Sequence, residues 1–330
     1  MARNKQSEMR YKVTTGYLER HPDMAGHTLA RLMRKEQPKL YSTHNAALHC
    51  VRYQRGANGV QCRKQLTDRR FTVKTKKAIP ESRARKFTPY YIANNSGLGL
   101  ILPDIHIPFH CVDAVDIAIK AGKKAKVKWV LILGDMIDCY QLSRFMKDPR
   151  ERDFAFELHA AKEFLDYLQS QLPNAKIIYK QGNHEDRFER YLASNAPALI
   201  GVEEFRWEVL LGLHQRGIDW IPDKRVIYCG YLNLLHGHEY LGGGGISPAR
   251  SIFLKANECS MVANFHRTSM FSKPTIRKRP ISCWSVGCLC YLHPDFLPLN
   301  DWNQGFALVD SLPDQNFIVH NKRIINGEVV

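Results

Sequence analysis

A chain of 330 residues, 44% of them hydrophobic, is long enough for one large domain or for a large and a small one, and it excludes wholesale disorder. No apolar run approaches the ~20 residues of a membrane helix, and the basic start Met1-Ala2-Arg3-Asn4-Lys5 has no apolar stretch behind it, so neither a membrane span nor a secretory signal is expected. The net charge of +16 is unevenly placed: residues 1–90 hold 21 Lys and Arg against 6 Asp and Glu, and the remainder is almost neutral, which points to a polyanionic partner, nucleic acid first. The nine cysteines are scattered and form no C-x-x-C pair, a usage that suits a reducing cytoplasm.

The first 63 residues read as a basic helical domain. Helices are predicted over Ser7–Arg20, Thr28–Gln37 and Asn45–Gln54. Leu29, Leu32 and Met33 form the stripe of a packed helix, which Pro38 stops, and Ala47, Leu48 and Val51 repeat it. Ser42 or Thr43 is placed to cap the third helix, and Gly56 to end it. Helix, short turn, helix suggests a helix-turn-helix reader, with Asn45, Arg52 and Arg55 offered to phosphates or base edges. The spacing of His44, His49, Cys50 and Cys62 fits no zinc finger. Residues 64–97, rich in Lys and Arg and ending in Asn94-Asn95-Ser96-Gly97, read as a linker.

From residue 98 to 330 short apolar runs alternate with helical stretches, a mixed α/β texture. Strands are predicted at Leu98–Leu102, Trp129–Leu133 and Lys176–Tyr179, with helices at Val112–Ala121 and Phe154–Gln171 between them. Later strands are expected at Val226–Cys229, Leu232–Leu235, Ser260–Ala263, Ile281–Val286, Phe306–Val309 and Phe317–Val319, with one helix over Pro248–Asn257 capped by Ser247. Cys283, Cys288 and Cys290 are expected to pack in or beside a strand.

Chemistry clusters just past the strands: Asp104-Ile105-His106, Gly134-Asp135-Met136-Ile137-Asp138, Gly182-Asn183-His184-Glu185, His236-Gly237-His238 and Asn264-Phe265-His266. Sites of open α/β sheets lie outside the carboxyl ends of strands, where these five loops would converge. Carboxylate and imidazole together suit Mn, Fe, Zn or Co. Asp135 has two oxygens with which to bridge two cations, the arrangement of two-metal hydrolases. Gly134 and Gly182 allow the chain to pass close to an ion. His184 is placed to protonate a leaving oxygen, with Asp138 to orient it. Arg187 is a candidate phosphate ligand, and His110 and His238 are candidates to line the substrate cleft.

In this order, D-x-H, G-D-x-x-D, G-N-H-E, H-G-H and a final x-x-x-H, the motifs resemble those of the calcineurin-like metallophosphoesterase superfamily. Ser285-Val286-Gly287-Cys288, Asn300-Asp301-Trp302-Asn303 and the preceding helical block look like its phage-type branch. The resemblance implies a two-sheet sandwich flanked by helices and two divalent ions. Asp104, His106, Asp135 and His266 would hold one ion; Asp135, Asn183 and His236 would hold the other. The family's last motif usually reads Gly-His-x-His, so Asn264 stands in place of a histidine ligand of the second ion. Asparagine oxygen is a weaker transition-metal donor, so the second ion either binds more weakly or is a harder one such as Mn, unless His238 compensates; Mn is the first expectation, with Fe, Zn, Co and Mg as the alternatives.

Together these features predict a metal-dependent phosphodiesterase acting on nucleic acid, DNA foremost, in the cytoplasm (the host's, if the chain is phage-encoded). The competing readings are a phosphomonoesterase on a nucleotide or phosphoprotein, and a DNA-binding protein with a weakened site. Cys139 stands where the protein-phosphatase branch has a phosphate-binding Arg, which argues against the phosphoprotein.

Overall fold

The computed structural model describes residues 5–58, 81–84, 86–144, 148, 153–242, 244–276 and 278–330. The chain divides into two compact units, Met1–Arg85 and Lys86–Val330. The break falls inside the stretch read as a linker, of which residues 64–80 lie outside the described residues.

In the first unit α1 (Lys5–Arg20), α2 (Gly26–Glu36) and α3 (His44–Gln54) close around Tyr17, Leu29, Met33, Tyr41, Leu48 and Val51. The stripe residues of α2 and α3 supply most of that core, with Leu32 only partly buried. Thr43, rather than Ser42, caps α3 by accepting from the Ala46 amide. The seven residues 37–43 between α2 and α3 exceed the three or four of a helix-turn-helix turn. The extra length is used by Tyr41, whose ring is buried and whose hydroxyl meets Thr14 Oγ1 and donates to the Arg10 carbonyl. Asn45 and Arg52 are exposed on α3. Arg55, however, donates to the carbonyls of Pro22 (3.1 Å) and Met24 (2.8 Å), so its guanidinium fastens the turn between α1 and α2. His44 lies 3.4 Å from His27 and stacks on it, and Cys62 lies outside the described residues.

The second unit is a sandwich of two mixed sheets flanked by helices, as the resemblance implied. One sheet has β13 (Glu328–Val329), β12 (Phe317–Ile325), β11 (Gly305–Ser311), β2 (Gly97–Leu102), β3 (Trp129–Leu133), β4 (Lys176–Lys180) and β5 (Asp219–Ile221), in that spatial order. The other has β1 (Tyr90–Ile92), β6 (Ile227–Cys229), β7 (Leu232–Leu235), β8 (Ser260–Val262), β10 (Pro280–Ser285) and β9 (Ser269–Pro274). Alternation of side chains about each strand assigns the layers. Leu100, Leu102, Val130 and Ile132 meet Ala118 and Ile119 of α4 (Val112–Lys124) and Leu165 and Leu168 of α5 (Phe154–Gln171). Ile101, Leu131, Leu133 and Ile178 meet Ile227, Leu234, Met261 and Trp284 of the second sheet. Beyond that sheet, Ala249 and Ile252 of α8 (Pro248–Ala256) cover Leu235 and Val262. Strands buried on both faces explain the continuous apolar runs.

Ser247 caps α8 as expected, accepting from the Arg250 amide. Tyr90–Ile92, placed in the linker by the sequence, is instead β1, because it finds a parallel partner in Ile227–Cys229 far along the chain. The short β5 and the polar edge strand β9 have no counterpart among the predicted strands. Two further helices, α6 (Asp186–Asn195) and α7 (Trp207–Leu210), follow β4. Among the described residues no helix is long and apolar enough to cross a membrane.

Strands β2, β3 and β4 run parallel, as do β7 and β8. Their carboxyl ends therefore deliver the motif loops to one edge of the sandwich.

Candidate metal centre

The loops that carry the motifs leave ordinary backbone geometry. Asp104, His106, Asp135, Asn264 and His266 all have positive φ, between 42° and 63°. Left-handed backbone costs about 1–2 kcal/mol per non-glycine residue, and such strain concentrates at functional sites. Gly134 and Gly182 serve as expected. A Cβ on Gly134 would strike the His236 ring, and one on Gly182 would strike Asp135.

The side chains converge. His106 Nε2 faces His266 Nε2 at 3.2 Å, and Asp104 Oδ1 lies 3.6 Å from His266 Nε2. Asp135 Oδ2 lies 3.9 Å from His106 Nε2 and 3.2 Å from His236 Nε2, which in turn is 3.1 Å from Asn183 Oδ1. Asp135 Oδ2 thus lies between His106 on one side and His236 with Asn183 on the other, and Asp104, Asp135 and His236 bring ligand atoms within 4.8 Å of one another. The other oxygen of Asp135 accepts from the His184 amide. All of these carboxylates and ligand-type imidazoles are buried.

Tautomers are set from behind. His236 Nδ1 donates to the Leu133 carbonyl at 2.7 Å, which leaves Nε2 as the lone pair facing Asp135 and Asn183. His106 Nδ1 donates to Asp138 Oδ1 at 2.8 Å, with the same effect. His184 Nδ1 lies 2.9 Å from the Asp138 carbonyl and 3.0 Å from Asp138 Oδ1. Asp138, expected to orient His184, therefore orients His106 as well. Burial disfavours its charge, yet His184 and His106 hold its carboxyl far below the usual range.

The donor set fits divalent ions. Buried carboxylates need a cation, and protons fill that need in its absence. Burial opposes protonation of His236 and His266, yet Asp135 raises His236 to about 10 and Asp104 raises His266 to about 9. His106, by contrast, is lowered by burial and by the neighbouring His184.

Asn264 enters the site through its backbone, its amide donating to both oxygens of Asp104 (3.1 and 2.9 Å). His238 stays outside these donor groups: its ring centroid lies 5.2 Å from that of His236, and burial pushes it down to about 4. Arg187 does reach the site. It donates through NH1 to the Asp138 carbonyl (2.9 Å), and its NH2 lies 2.9 Å from His184 Nε2. His110 is half-buried beside the site and bridges to Cys290 through the backbone. Cys139 is buried and its thiol is pushed well up by burial, so it offers no phosphate contact.

Several residues of the site were given no role by the sequence. Glu185 accepts from the amides of Asp135 (3.1 Å), Met136 (2.8 Å), Ile137 (3.4 Å) and Gly182 (2.7 Å) and from the Tyr179 hydroxyl (2.6 Å), tying two metal loops together. Glu239 does the same for the His236 loop, accepting from the amides of His236 and Gly237 while pairing with the fully buried Lys180 at 2.8 Å. Each follows a histidine, in His184-Glu185 and His238-Glu239, and that echo was the available signal. Cys290, expected only to pack, does pack, but its Sγ lies 3.9 Å from His266 Nδ1 and close to His106. The Trp302 ring stands edge-on to His266 at 4.1 Å.

Residues 100–258 match the family model of the calcineurin-like phosphoesterases. Residues 100–258 of the second unit are therefore a calcineurin-like phosphoesterase domain, consistent with the sandwich and the clustered Asp, His and Asn side chains. The match ends before Asn264 and His266. No curated protein shows significant similarity to the chain.

Proposed function

We propose that the chain hydrolyses phosphodiester bonds in nucleic acid, DNA above RNA, in the cytoplasm. The observation that carries the reading is Asp135 Oδ2 lying between His106 on one side and His236 with Asn183 on the other, the layout of a two-ion hydrolytic site. Asp104, His106, Asp135 and His266 would hold one ion, and Asp135, Asn183 and His236 the other. The amide oxygen of Asn183 and the replacement of a histidine by Asn264 favour Mn over softer ions. When bound, such ions acidify water and neutralise charge on the phosphoryl group.

The remaining chemistry falls to the chain. The water oxygen, having given up one proton to solvent, adds to phosphorus as the bond to the leaving oxygen breaks, and that oxygen takes a proton from His184 Nε2, which solvent later restores. Burial disfavours a charged His184, but Asp135 and Asp138 outweigh it and raise its pKa above the usual value. In the substrate-free geometry Arg187 donates to Nε2, so that nitrogen accepts rather than carries a proton. Transfer of the guanidinium to a phosphate oxygen frees Nε2 to protonate and act as the acid. Outside the catalytic domain, the basic residues 1–90 supply sequence-independent attraction to phosphates.

The test is direct. Purified protein with Mn is offered bis-p-nitrophenyl phosphate, p-nitrophenyl phosphate, and single- and double-stranded DNA. Hydrolysis of the diester and of DNA is expected, and Asp135→Asn should abolish both. Activity on the monoester alone would overturn the nucleic-acid reading.

A further inference from the structure

Exposed aromatic side chains gather where the metal centre opens. Phe296 is 79% exposed, Tyr291 66% and Phe109 39%. Leaving such rings in water is unfavourable, and a rimmed apolar patch marks a binding surface. Each is tied to the site through a neighbour. Trp302 contacts His266, and Phe296 lies 6.3 Å from Trp302. Tyr291 follows Cys290, and its amide donates to the Phe109 carbonyl, while the Phe109 ring lies 5.6 Å from Tyr140, two residues past Asp138.

The segment that presents these rings is built to hold them out. Asn300 Nδ2 donates to the carbonyls of Leu292 (2.6 Å) and Leu297 (2.8 Å), His293 Nδ1 donates to the Pro298 carbonyl (2.9 Å), and the Leu297 amide closes a turn onto Pro294. Pro294 and Pro298 narrow its backbone freedom further. A loop so fastened could have folded its apolar side chains inward, yet it leaves Phe296 and Tyr291 in solvent.

We propose that Phe109, Tyr140, Tyr291, Phe296 and Trp302 form an aromatic lip that stacks unpaired nucleobases, so that single-stranded nucleic acid is the substrate. The inference rests on the nucleic-acid reading above. One observation favours a base over a protein side chain: the lip leads through Trp302 to His266 of the metal centre, whose substrate on the reading above is nucleic acid. Stacking needs a base free of its partner, which a duplex withholds.

The experiment compares a labelled oligothymidylate, alone and annealed to oligoadenylate, with bis-p-nitrophenyl phosphate as the reporter of the metal centre, all in Mn. The single strand is expected to be cut with at least about tenfold higher kcat/KM than the duplex. In Tyr291→Ala/Phe296→Ala, KM for the single strand should rise about tenfold or more, the effect of losing stacking on exposed rings. The ratio of oligothymidylate to bis-p-nitrophenyl phosphate hydrolysis should fall accordingly, and Phe296→Trp should keep the wild-type KM. Equal cutting of both strand forms with KM unmoved by the double variant would overturn the inference and leave the lip to a protein partner. Diester hydrolysis without any DNA cutting would instead overturn the nucleic-acid reading, and this inference with it.

Discussion

His184 and its neighbours decide how the reaction depends on the leaving group. A general acid contributes about 10²–10⁴-fold when the departing oxygen needs a proton. His184→Ala should therefore lower kcat on DNA by that order, but far less on bis-p-nitrophenyl phosphate, whose leaving group departs without one. Equal losses on both would remove the role assigned to His184. The histidines at the ions make a second prediction. The pKa values of His236 and His266, about 10 and about 9, lie above their unfolded values, so they stabilise the metal-free fold below about pH 6.5. That stability is lost as pH rises through 9 to 10, and the metal-free Tm should fall over this range. Metal binding at pH 7–8 must displace these protons, about two per protein, measurable by calorimetry in buffers of different ionisation enthalpy. Binding without proton release would mean that these rings are not ligands.

At the scale of the element, the ends of β3 and β4 matter most. Glu185 satisfies four amides and a hydroxyl in a place closed to water. Glu185→Gln keeps the shape but turns an amide donor toward those donors, leaving some unpaired at about 1–3 kcal/mol each. A Tm lowered by several degrees, together with weaker metal binding, is the expected result. Unchanged Mn affinity in calorimetry would confine Glu185 to stability. Much of this architecture was legible. Apolar runs marked β2, β3, β4, β7 and β8, and each strand end carried its ligand in family order. What was hidden shares a cause: it depends on partners distant in sequence. Tyr90–Ile92 has no strand signature until Ile227–Cys229 lies beside it. Nor does a lone Glu or Lys announce burial: the sequence places Glu185 in a motif without giving it a role, and Glu239 and Lys180 carry no signal until the fold encloses them. Asp138 was seen to serve one histidine, but that it reaches two is a fact of three-dimensional packing.

For the whole molecule, the proposed function turns the charge asymmetry into a division of two tasks. The second unit has its own core on both sides of each sheet. Removing residues 1–85 should therefore leave bis-p-nitrophenyl phosphate hydrolysis within about twofold of the full chain, since no metal-site residue is lost. The same truncation should weaken DNA binding at low salt and flatten its dependence on ionic strength, because phosphate contacts release counterions in proportion to their number. Filter-binding titrations over a range of salt would check this, and an unchanged slope would assign the DNA attraction to the phosphoesterase unit itself.

The convergence of five donors on Glu185 also bears on engineering. Residues 135–137 and Gly182 present their amides to one carboxylate, so the conformations of the two segments are jointly specified. A loop graft that imports one segment from another phosphoesterase while keeping the other would mismatch the donors to the acceptor, even with every ligand type preserved. Redesign of the centre for another ion should transplant the two segments together, with Glu185 and Tyr179 as part of the cassette.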